Sequence, residues 1–72
     1  MQEERLQITL AAARVNAGMT QDDVAQEMHV GKQTVVNWEK GKTEPTVTQG
    51  RKLSVLFKMP MDSIIFLPTK SN

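Results

Sequence analysis

Residues 21–41 read QDDVAQEMHVGKQTVVNWEKG, and two short helical patterns lie in that stretch with only a tight turn between them. Val24, Ala25 and Met28 fall on one side of the first pattern, and Val35 and Trp38 on one side of the second. Apolar residues at three- and four-residue spacing mark helices that bury one stripe. His29-Val30-Gly31 is then the turn, and Lys32 to Lys40 the second helix of the pair, closed by Gly41. A wheel at about 100° per residue places Lys32, Gln33, Val36, Asn37 and Lys40 within an arc of roughly 140°. Thr34 lies with Val35 and Trp38 on the other side. That division suits a helix held by a small core while it offers amides and ammonium groups to a nucleic-acid groove, although any solvated helix face carries such residues.

Outward from this pair, the spacing of Leu6, Leu10, Ala13 and Ala17 predicts a first helix over residues 3–17, stopped by Gly18. Thr20-Gln21-Asp22-Asp23 is a capping box for the next helix: the hydroxyl accepts an early backbone N–H and Asp23 reaches back. The loop around Lys42, Thr43, Glu44 and Pro45 is irregular, because the residue before a proline avoids helical geometry. Thr46 to Gln49 repeats the capping-box pattern and opens a fourth helix to about Phe57, with Val47, Leu53, Ser54 and Phe57 inward and Gly50 interrupting it. A short fifth helix is expected over about Met61 to Phe66, with no β-strand needed. The expected fold is an all-α, five-helix domain over residues 1–67, followed by a frayed tail at 68–72.

Bulk properties narrow the function. With 72 residues there is room for one domain and one core, and a chain this short buries only about 60% of its unfolded surface. There is no cysteine and one histidine, His29, so neither a disulfide nor a cysteine or histidine metal site can be assembled. No apolar run approaches the roughly 18 residues of a membrane span. The opening MQEERLQITL lacks the basic-then-apolar order of a secretory signal. No nucleophile–base constellation can be built, so an enzyme is not expected, nor a cofactor or a small-molecule substrate. Net charge is only +1, but it is unevenly spread. Acids gather at Glu3, Glu4, Asp22, Asp23 and Glu27, whereas Lys32, Lys40, Lys42, Arg51, Lys52 and Lys58 follow, which permits one basic face.

On the outer arc of the second helix of the pair, Gln33 or Asn37 can bond an adenine edge, Lys32 can reach guanine O6 and N7, and Val36 can touch a thymine methyl. Trp38, on the inner side, reads as a core anchor rather than a base-stacking platform. Arg14, Gly18, Thr20-Gln21, Ala25, Val30, Val35, Trp38-Glu39-Lys40-Gly41, Pro45, Leu53, Asp62 and Ile64 together carry a resemblance to the Cro/repressor-type helix-turn-helix domains, the Xre family, whose fold is lambda-repressor-like. The resemblance implies that Lys32–Lys40 enters the major groove of a double-stranded DNA operator. It implies phosphate contacts from Gln21, Lys42 and Thr43, and an ion pair between Arg14 and Glu39. Thr34, on the same helix, completes the expected DNA-binding set of Gln21, Lys32, Gln33, Thr34, Val36, Asn37, Lys40, Lys42 and Thr43.

Four positions depart from the family pattern. His29 stands at the usual turn glycine, Gly31 at the usual serine cap, Gly50 at a common leucine and Lys58 at a common glycine. None removes a groove-facing residue. Ile8, Val15, Val55, Leu56, Met59, Met61, Phe66 and Leu67 add apolar side chains, several of them where relatives are charged or small. Of these, Val55, Leu56, Met59, Phe66 and Leu67 form the expected partner surface. It serves a homodimer or a complex with a repressor protein. Small stand-alone members of the family act in the genetic switches of temperate phages, both as Cro-like DNA-binding regulators and as modulators or antirepressors of another protein. The resemblance therefore implies a transcriptional regulator in the cytoplasm of a bacterial host cell.

Overall fold

The computed structural model describes residues 7–65. In chain order it contains β1 (Ile8–Thr9), α1 (Leu10–Asn16), α2 (Gln21–Met28), α3 (Lys32–Lys40), α4 (Val47–Phe57), a 3-10 turn (Met61–Ser63) and β2 (Ile64–Ile65). The domain is helical, but the expectation of five helices is corrected: four α-helices are present among the described residues, and the fifth is a single 3-10 turn running into a strand.

The first helix also begins later than its apolar period indicates. Thr9 adopts extended geometry and caps α1, its hydroxyl accepting from the Ala12 N–H at 3.1 Å. The β-branched Ile8 and Thr9 pair in parallel with Ile64 and Ile65, Ile8 opposite Ile64 and Thr9 opposite Ile65. The expectation that no strand is needed therefore fails, because these residues give the two ends of the fold a shared ladder. Ala17, expected to be an inward helical position, is the exposed C-cap of α1, and Gly18 takes the positive φ of 73°. Leu6, Phe66, Leu67 and the expected tail at 68–72 lie outside the described residues.

The caps follow the sequence closely. Thr20 and Asp23 exchange two hydrogen bonds, at 3.0 Å and 2.9 Å, and open α2. Thr46 and Gln49 do the same for α4, at 3.1 Å and 2.9 Å. Each pair satisfies two backbone or side-chain groups that a helix start otherwise leaves unbonded. His29 closes α2 at φ 58° and Lys58 closes α4 at φ 55°, both left-handed positions that favour glycine.

Leu10, Ala13, Val24, Ala25, Met28, Val35, Trp38, Leu53, Phe57 and Ile64 form one core, with Ile8, Met19, Val30, Leu56 and Met59 packed on its edge. Val47 does not join it. At 66% exposure it faces solvent, correcting its expected inward position. On α4 the buried stripe is Gly50, Leu53 and Phe57, and Val47 stands about 90° round from the centre of that stripe. Gly50 is buried because Met61 fills the space a side chain would take; a Cβ there would lie 2.9 Å from the Met61 methyl. No helix among the described residues is long and apolar enough to cross a membrane.

Candidate nucleic-acid interface

The core grips α3 by Val35 and Trp38, which are 1% and 4% exposed. That anchoring fixes the rotation of the helix about its axis. Lys32, Gln33 and Lys40 are consequently exposed, while Thr34, Val36 and Asn37 are half-buried. Gly31 caps the helix without a side-chain bond, which leaves the approach to its N-terminus uncluttered. The tight connection from Met28 depends on His29, whose left-handed geometry lets the Val30 N–H turn back to the Ala25 carbonyl at 3.0 Å. Short polar side chains and histidine tolerate that geometry better than β-branched ones.

Within the outer face, Gln33 Nε2 donates to Asn37 Oδ1 at 3.0 Å. Lys32 Nζ stands 4.0 Å from Asp22 Oδ2, with both side chains well exposed. An exposed pair at that distance is worth little, so an arriving phosphate or base edge can displace the carboxylate. After Gly41 the chain folds back over the end of α3, where the Asn37 carbonyl accepts from the Lys42 N–H at 2.9 Å and the Thr43 N–H at 3.4 Å. Lys42 and Thr43 are thereby held beside the C-terminal end of the helix with their side chains exposed.

Behind this face lies an ionic junction of three helices. Arg14 on α1 donates from Nε to Glu39 Oε2 at 2.7 Å and from Nη2 to Oε1 at 3.4 Å, while its Nη1 bonds the Met19 carbonyl at 2.9 Å. Gln21 at the start of α2 donates from Nε2 to Glu39 Oε1 at 2.9 Å. The side chains of Arg14 and Glu39 are 16% and 9% exposed, so the charges are largely removed from water and satisfied by one another. The ion pair that the resemblance implied is thus present. Gln21 is the third member of this junction, which no local sequence signal reveals; the bond commits one amide N–H inward and leaves the other N–H and the oxygen for an outside partner. Beside this junction Arg14, Met19, Thr20, Gln21, Asp22 and Lys32 line an open recess of about 350 Å³. It brings Gln21 and Lys32, assigned from different helices, to one site at the positive end of α2.

The expected partner residues divide. Val55 is 76% exposed on α4, and Val15 on α1 is 62% exposed. Leu56 and Met59 are half-buried against the core edge. Phe66 and Leu67 lie outside the described residues.

A small helical core thus locks α3 by Val35 and Trp38 and turns amides and ammonium groups on that helix outward. A family model described as Helix-turn-helix matches residues 10–64, more than half of the chain, and the chain belongs to that Cro/repressor-type (Xre) family. It is accordingly a DNA-binding transcriptional regulator acting on double-stranded DNA. Neither a search of curated proteins nor one of solved structures gave a match.

Proposed function

We propose that this regulator reads an operator by laying α3 in the major groove, as part of a phage-type genetic switch in the cytoplasm of a bacterial host. The reading rests on one observation: Val35 and Trp38 are buried while Lys32, Gln33 and Lys40 are exposed on the same nine-residue helix. Lys32, Gln33, Val36, Asn37 and Lys40 then address base edges. Gln21, Thr34, Lys42 and Thr43 flank them and position the domain on the phosphates. The folded unit in this reading spans residues 1–67, with 68–72 a tail.

Selection from a pool of randomised duplexes tests this. The expected outcome is enrichment of one sequence, bound at least about 10³-fold more tightly than random DNA at physiological salt. Equal affinity for all duplexes would reject sequence-specific reading.

The exposed Val55 on α4 supports a second component, a protein contact made away from α3. A homodimer through this side would set half-sites about one helical turn apart. A repressor protein bound there would instead make the chain a modulator or antirepressor. Because Val55 is solvent-facing, Val55→Glu should leave the melting temperature unchanged while dissociating the complex. Sedimentation of the pure protein, with and without a candidate repressor, separates the two partnerships; unaltered association in both cases would remove Val55 from the contact.

A further inference from the structure

Gln33 and Asn37 stand one turn apart on α3, and the bond between their amides runs along one side of the outward arc. A primary amide has two N–H donors and an oxygen with two lone pairs. The contact consumes one N–H of Gln33 and one lone pair of Asn37 Oδ1. Because the Gln33 nitrogen is turned toward Asn37, its Oε1 is left as a free acceptor. Because the Asn37 oxygen is turned toward Gln33, both N–H groups of its Nδ2 are left as free donors. The main chain at Asn37 is held in place, since its carbonyl accepts from the Lys42 and Thr43 N–H groups. The two side chains therefore offer an acceptor followed by a donor in a set order along the helix.

Resting on the placement of α3 in the major groove, we propose that Gln33 and Asn37 act as one reading unit. Gln33 Oε1 selects a base with an exocyclic amino group in the groove, adenine N6 or cytosine N4. Asn37 Nδ2 donates to an acceptor edge, purine N7, guanine O6 or thymine O4, at the neighbouring base pair. Specificity at the two positions is coupled, because either amide loses its orientation when the other is removed.

The test uses the full chain and the duplex enriched from the randomised pool, with Gln33→Ala, Asn37→Ala and the double variant, each checked for an unchanged thermal melt. Gln33→Ala should weaken binding about tenfold or more and flatten the base preference at two adjacent positions instead of one. The double variant should bind little worse than the weaker single one. Gln33→Glu, which keeps an acceptor but has no N–H to give Asn37, should also flatten the position that Asn37 reads. If each alanine variant flattens a different single position and the losses multiply in the double variant, the amides read independently; coupling is then wrong while α3 remains the reader. If Gln33→Glu keeps the preference that Asn37 reads but loses its own, the donor and acceptor are reversed from the arrangement proposed; if it retains both, Asn37 does not depend on the Gln33 N–H and coupling is wrong. If no variant alters affinity or base preference on the enriched duplex, α3 is not the reading element and the proposal falls with it.

Discussion

Removing the Arg14 guanidinium should cost a substantial part of the stability of this domain. Arg14→Ala deletes two charge-assisted bonds to Glu39, at 2.7 Å and 3.4 Å, and the bond to the Met19 carbonyl at 2.9 Å. Glu39 would be left as a carboxylate only 9% exposed, with Gln21 as its one remaining donor. Breaking a buried pair by removing one partner typically costs about 3–5 kcal/mol. The low end applies here, because Arg14 is 16% exposed and Gln21 stays bonded, so about 3 kcal/mol is expected. For a domain of this size each 1 kcal/mol moves the melting temperature by about 4–8 °C, giving a fall of about 12–24 °C. Thermal unfolding followed by circular dichroism reads it directly. Replacing both partners, Arg14→Met with Glu39→Met, removes the stranded charge as well as the pair and should recover most of the loss. A fall of less than about 4 °C for Arg14→Ala would refute the reasoning, and would mean that water reaches Glu39 more freely than its burial indicates.

Three further outcomes follow from other parts of the fold. Lys58→Gly should raise stability by about 1 kcal/mol, since Lys58 closes α4 at φ 55° and a left-handed residue with a Cβ costs about that much; a chemical denaturation midpoint that fails to rise would contradict this. Gly50→Ala gains helix propensity of up to about 1 kcal/mol. Its new Cβ meets only the mobile methyl of Met61, so the variant should melt at or slightly above the parent temperature, and a clear drop would show Met61 to be wedged. Lys42→Ala should weaken binding to all duplexes alike and lower the slope of log affinity against log salt by about one unit; an unchanged slope would take Lys42 off the phosphate.

The sequence was legible where a local rule has one strong solution. Thr20 with Asp23 and Thr46 with Gln49 fix the starts of α2 and α4, and the left-handed Gly41 fixes the end of α3. Val35 and Trp38 gave the phase of α3, and hence its outward face. Legibility failed where two rules competed. Leu6, Leu10 and Ala13 keep a helical period straight through Thr9, and nothing local shows that Thr9 caps a helix instead of continuing one. The alternative, strand pairing, depends on Ile64 and Ile65 at the far end of the chain. Val47 looked like the start of an inward stripe, but the burial of Gly50, which centres that stripe elsewhere, is explained only by Met61 coming over it. For Gln21 the family resemblance implies one partner, a phosphate, whereas its bond to Glu39 needs three helices to be in place.

The ladder that joins Ile8–Thr9 to Ile64–Ile65 spans nearly the whole chain, whereas α2 and α3 are neighbours in sequence. Closing a long loop costs entropy that local contacts do not have to overcome, so the helical pair can assemble early and this clasp last. With only two residues on each side, the clasp is also the first contact to open. Amide exchange should accordingly be fastest at the ladder and slowest around Leu53 and Val35, both almost wholly buried. Tension applied at either end, by an attached segment or by a bound partner, is met at the clasp. It would draw Leu10 and Ile64 out of the core before any of it was felt by the helix that faces DNA.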